Sequence, residues 1–527
     1  MAKTEKLSYT ESKKKRMLAK ADEWQSRLAG VLVVLIMCVQ PLYINWERYN
    51  RLTWHKFVFF IAYMVCALVA VAIIWVYRVT RKPALLPRDK LTIVDWVVLS
   101  FAAVTLISAL FSPFRGVADV WAGAAERYDG AITQLLYVAV YFIVSRWYVP
   151  KTRHFMLFGI SAILIAIIGI LQFYGMDFLK LWPNNVPEYH APNFYNIFFR
   201  TTIGNVDFVS TYTCIAVLLC GFLFIRMKSK WQPLWLAASA LSFWMMDLGN
   251  ADSGRVGVIA ATFLALPFII ETMKILGRTL ILLSSWLAVY TLQKLIFEAL
   301  ILKTRTAGSL LLFIAVVIVL LIAGFILTRF GKERGDNAPA KWKLGVILIV
   351  ACIVTGLIGV EVLGSRAARQ ENPNRLLVEA RGVLHGNIRD EMGTNRVYIW
   401  RNALQVFPDH PIIGSGPDTF HNAFPEEAQM FYGSEYDKAH NEYIQILICQ
   451  GILGLLCYLA FIALVLRKAV PKAFGNPLVM AVLAAFAGYC VQAFFNISVP
   501  ISSQMLWVFA GMLTSKRVGE ATNAIVT

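Results

Sequence analysis

Lys438-Ala439-His440-Asn441-Glu442-Tyr443 closes the long polar interval of this chain, which begins at Gly364. Over 364–440 the sequence carries seven arginines and one lysine, then turns apolar again on a His-Asn pair. On either side, runs of about 20 apolar residues recur from Leu28 onward, the length a helix needs to cross a bilayer. With 58% hydrophobic residues and mean hydropathy +0.61, the 527-residue chain reads as an all-α polytopic membrane protein.

Fourteen spans are expected: 28–45, 57–77, 91–111, 131–148, 155–175, 206–226, 231–248, 255–271, 279–300, 307–328, 342–363, 441–466, 474–495 and 500–514. Lys294 and Glu298 interrupt the weak ninth, so the reading allows 12–14. Pro41 and Pro267 should kink their helices. The chain divides into a basic tail (1–27), eleven helices (28–363), the polar loop (364–440), and three helices with a short tail (441–527). The tail runs into the first span with no small-residue cleavage site, unlike a secretory signal. With the N-terminus inside, 31 Lys and Arg fall on the cytoplasmic side and ten in the short outer loops. That asymmetry predicts a multi-pass protein of the cytoplasmic membrane with both termini inside and the long loop outside.

The same asymmetry accounts for the net charge of +18, and no basic stripe with interleaved aromatics suggests a nucleic-acid partner. All eight cysteines fall inside apolar runs, so neither a disulfide framework nor a structural metal site is indicated.

Within the loop, 395–407 has helical spacing, with Val397, Trp400, Leu404 and Phe407 on one apolar face and Arg396 at its border. Pro408 should stop it. Other polar residues gather at outer helix ends: Arg127 in Glu126-Arg127-Tyr128-Asp129-Gly130, Arg200 before the sixth span, Arg255 in Asp252-Ser253-Gly254-Arg255, and His440. Guanidinium is permanently charged and donates paired hydrogen bonds, which suits phosphate and diphosphate. The competing reading makes each arginine an interfacial anchor and His440 a structural residue. Gly414-Ser415-Gly416 offers either an anion-binding nest or a tight turn after Pro411.

Several of these pieces, taken in order, resemble the O-antigen ligase and polymerase superfamily. They are Arg396-x-x-x-Trp400, then Pro411-Ile412-Ile413-Gly414-x-Gly416-x-x-x-Phe420, then His440-Asn441-x-Tyr443-x-Gln445 with Gly451-x-x-Gly454-Leu455. Ser253-x-Arg255 and Gly204-Asn205-x-Asp207-Phe208 resemble shorter family elements, with Asp207 where the family commonly has Asn. The resemblance implies a GT-C-like helical glycosyltransferase without metal or other cofactor, inverting at the anomeric carbon. Its donor would be a glycan on a polyprenyl (undecaprenyl) diphosphate. Its acceptor would be a glycolipid, a growing glycan or a protein hydroxyl at the outer face of the cell-envelope membrane. On that reading Arg255 and Arg396 bind the diphosphate and His440 is the general base. Arg200, Arg127, Asn441, Trp400 and Tyr443 complete the substrate site. A repeat-unit polymerase or protein O-oligosaccharyltransferase are alternatives within the superfamily. A lipid-linked oligosaccharide flippase is the alternative from another class, and a structural subunit of an envelope-polymer complex a further one.

Overall fold

A computed structural model describes residues 2–81, 90–182, 199–249, 251–297, 307–331, 338–369, 375–429 and 435–520. Residues 298–300 of the expected ninth span and the outer loop 301–306 lie outside these. Each of the fourteen expected spans is met by a helix. Before the loop these are α1 Ala2–Val34, α2 Leu52–Arg81, α3 Ile93–Leu110, α4 Ala131–Trp147, α5 Thr152–Phe173, α6 Val206–Arg226, α7 Gln232–Leu248, α8 Asp252–Leu264, α9 Met273–Phe297, α10 Ala307–Phe330 and α11 Ala338–Ala367. The loop itself forms α12 Arg375–Leu384 and α13 Met392–Val406, and α14 Glu442–Ala473, α15 Pro477–Gln492 and α16 Gln504–Thr514 follow. By length and composition ten of the helices could cross a membrane; α4, α7, α8 and α16 are shorter. No strand forms among the described residues. Both prolines interrupt helices as expected. Pro41 follows a π-helical turn at Leu35–Val39, and Pro267 lies in a separate turn, Leu266–Ile269, beyond the end of α8.

The bundle is built around α6. Its sequence is apolar on every side, and from Phe208 to Ile225 every residue is buried, as such a helix requires. It packs against α7, α8 and α15. Small residues let these backbones approach: a Cβ on Gly257 of α8 would stand 2.7 Å from the Gly488 carbonyl of α15, and one on Gly488 would meet Leu218 of α6 at 2.1 Å.

The 364–440 interval folds into a helical lobe with an apolar cluster of its own, including Tyr398, Ile399, Ala403, Phe420 and Phe424 and reaching Ile448 and Cys449 of α14. Regular helix in α13 starts at Arg396, because Gly393, Thr394 and Asn395 all have positive φ. Its packed face is rotated from the expected one. Tyr398, Ile399 and Ala403 are buried, while Leu404 is exposed. The lobe takes up Tyr398 and Ile399, which the 3.6-residue spacing from Val397 passes over.

The lobe is clasped to the bundle by a break in α14. Gly451 adopts φ 70°, ψ −173°, a conformation open essentially to glycine alone. Segment 411–416 inserts at this break. The N–H groups of Ser415 and Gly416 donate to the carbonyls of Ile448 and Cys449, and Ile452 N–H donates to the Pro411 carbonyl. The glycines at 414 and 416 therefore serve backbone contact. Their neighbourhood is a turn bonded to α14, not an open nest.

Candidate active site

His440 sits one residue before the Asn441 cap of α14, in the left-handed region with φ 48°. Few β-carbon residues adopt this backbone freely, and five hydrogen bonds brace the segment around it. Trp400 Nε1 donates to the Ala439 carbonyl at 2.9 Å, and Ala439 N–H donates to Gln445 Oε1 at 2.9 Å. Asn441 Oδ1 accepts from the N–H groups of Tyr443 and Ile444, while Tyr443 Oη donates to the Cys490 carbonyl at 2.6 Å. The polar atoms of Trp400 and Tyr443 thus engage the protein's own backbone and fix where His440 points. Asn441 Nδ2 has no hydrogen-bond partner.

His440 Nδ1 lies 3.9 Å from Asp207 Oδ2, and Arg396 Nη2 lies 3.9 Å from Asp207 Oδ1. Asp207 occupies the first turn of α6 behind its Asn205 cap, and Asn496 Nδ2 donates to its carbonyl at 2.9 Å. Arg127 pairs with Asp437 at 2.7 Å and lies over the Phe208 ring. Burial pushes the His440 imidazolium toward its neutral form, with Arg396 and Arg127 acting the same way and Asp207 and Asp437 opposing. The arrangement places an imidazole that burial biases toward its neutral form beside two guanidinium groups, each facing a carboxylate.

Two other expected arginines stand in different company. Arg255 is held by Asp252 and Asp247, with Nη–Oδ1 distances of 2.8 Å to each, at the facing ends of α8 and α7. Ser253, two residues before Arg255 in sequence, accepts from Asn496, which also donates to the Asp207 carbonyl. Arg200 stacks on Trp182, 4.9 Å from the ring centroid. Chain order alone brings none of this out, and Asp207, Asp437 and Asp247 are the carboxylates that sequence reasoning missed as partners. Asp207 carried a signal, as an acid in place of the family's Asn.

Beneath His440, a buried ion pair ties three segments together. Lys438 Nζ bonds Asp418, and both side chains are almost wholly excluded from solvent. Asp418 Oδ2 also accepts from the N–H groups of Ala124 (2.8 Å) and Asp129 (3.2 Å), in the loop that carries Arg127. Burial pushes the Asp129 carboxyl up to about 7, with Lys438 opposing and Asp418 and Glu442 adding to the rise. A cavity of about 30 Å³ lies among these groups.

The helices and the lobe define a multi-pass membrane protein whose extramembrane lobe delivers a histidine and an arginine to the bundle's end. Residues 294–459, about a third of the chain, match the family model described as O-antigen ligase, which supports a place in the O-antigen ligase superfamily. The matched segment contains Arg396, Trp400, His440, Asn441 and Tyr443, while Arg127, Arg200, Asp207 and Arg255 lie before it. The family supports an activity of the O-antigen ligase or polymerase type on lipid-linked glycans. No curated protein matches the chain.

Proposed function

We propose that this protein is a metal-independent, inverting glycosyltransferase of the ligase type. It moves a glycan from a polyprenyl diphosphate to an acceptor hydroxyl at the outer face of the cytoplasmic membrane. The observation that carries this reading is the grouping of a neutral His440 with Arg396 around Asp207. His440 Nε2 takes the proton of the acceptor hydroxyl as its oxygen attacks the anomeric carbon. The bond from that carbon to the diphosphate oxygen breaks, and its electron pair leaves on the diphosphate. Arg396 binds the leaving group with Arg127 beside it, and Arg200 and Arg255 complete the set when ligand draws them from their present partners. Permanent guanidinium charge is strongest where negative charge develops, the condition for lowering a barrier. The Asp207 carboxylate, 3.9 Å from His440 Nδ1, favours the tautomer protonated at Nδ1 and so leaves Nε2 as the basic nitrogen. Asn441 Nδ2 orients the acceptor, and Trp400 and Tyr443 shape its site.

The test is transfer from a purified polyprenyl-diphosphate glycan, with and without EDTA, by wild type, His440→Ala and Arg396→Ala. Loss of transfer in both variants, with wild type indifferent to chelator, supports the reading. Full activity in either variant ends it. In the native host, long lipid-linked chains accumulating in the His440→Ala strain identify a ligase, and single repeat units a polymerase.

A further inference from the structure

At the opposite end of the bundle, a groove of about 900 Å³ opens between α1 and the start of α5. Its walls include apolar Val31, Val34 and Leu157, and basic Arg27, Lys151 and Arg153. At its inner side the two helices touch: a Cβ on Gly30 would stand 3.2 Å from the His154 ring. The groove's position follows from α5. Its far end carries Gln172, whose Oε1 accepts from the N–H groups of Arg200 and Thr201, just before Asp207. A helix of 22 residues spans about 33 Å, one bilayer core, so groove and active site face opposite leaflets.

The charges do not cancel. Arg27 pairs with Glu23, but Lys151 and Arg153 are exposed and have no carboxylate partner among the described residues. They flank the N-terminus of α5, whose free N–H groups add positive potential. Val31, 58% exposed, and Leu157 leave an apolar surface beside this cationic edge. Positive-inside loops explain the presence of basic residues, but not a large apolar recess directly against them.

We propose that this groove binds an anionic phospholipid of the leaflet opposite the active site, with acyl chains along α1 and the headgroup phosphate on Lys151 and Arg153. A zwitterionic lipid would bring its ammonium against Lys151 and Arg153, since the one carboxylate lining the groove, Glu23, is already paired with Arg27.

The experiment is native mass spectrometry of the full chain in mild detergent, titrated with phosphatidylglycerol or phosphatidylethanolamine. Wild type should hold phosphatidylglycerol more tightly. Lys151→Gln with Arg153→Gln should weaken it on the order of thirtyfold and leave phosphatidylethanolamine unchanged, since each juxtamembrane cation contributes roughly fivefold. Val31→Asn, at an exposed position that folding tolerates, should weaken both lipids. Millimolar inorganic phosphate should not displace the lipid. Equal binding of both lipids, binding unaffected by the double substitution, or full displacement by phosphate would each overturn the proposal.

Discussion

At the scale of single residues, Asp207 is central to the role proposed for His440. It faces Nδ1 from one oxygen and Arg396 from the other, so it bears on both the base and the anion site. Burial holds the imidazole below its ordinary value of about 6.5, so the base stays unprotonated at that pH, and the acid limb of transfer should lie lower. Asp207→Asn removes a charge that favours the imidazolium. The limb should therefore move to still lower pH, while the maximal rate falls because the base is weaker. A pH profile of transfer for the two proteins checks both signs. His440→Ala should cost about 10²–10⁴-fold, the range of general-base catalysis.

At the scale of elements, two joints hold the lobe. In the first, Gly451 leaves no space for a side chain: an added Cβ would meet the Ile412 carbonyl at 2.3 Å, in a backbone conformation that already excludes other residues. Gly451→Ala should destabilise by several kcal/mol, since steric overlap and a forbidden φ act together, and thermal unfolding in detergent measures it. The second joint is the Lys438–Asp418 pair with Asp129 beside it. A carboxyl raised to about 7 keeps its proton in the fold where the unfolded chain has lost it. Its stability cost is therefore absent below about pH 4 and grows as pH rises toward 7. Asp129→Asn should raise the melting temperature slightly at pH 5 and more at pH 8. No gain at pH 8 would mean that the charged form is accommodated.

At the scale of the molecule, the fourteen helices were legible because apolar length is a local property, readable one segment at a time. The site was legible only in pieces. Arg396 and His440 lie in the long loop and could be paired by chemistry, but Asp207 joins them through tertiary packing that no spacing encodes. The insertion of 411–416 into α14 was equally hidden, since its glycines read as a turn and gave no sign of what the turn was bonded to. Leu404 shows the limit of periodicity: it keeps helical register with Trp400 yet faces outward, because the lobe packs on the neighbouring stripe. The charge asymmetry predicts that the lobe lies outside. A cysteine introduced at exposed Glu427 should react with a membrane-impermeant maleimide in intact cells, and one at Lys230 only after lysis. The reverse pattern would invert the topology.

The enclosure of α6 has a consequence for synthesis. This helix leaves the ribosome well before α15, which covers one of its sides, so the nascent chain must wait for its wrapping through some 250 residues of translation. Until then Ser210, Thr211 and Thr213, all buried in the finished protein, have no α15 to shield them from acyl chains. Chains stalled or truncated between α8 and α15 should therefore be held by membrane insertases and cleared by intramembrane quality control, and synthesis of α15 is the step that releases the protein from that surveillance.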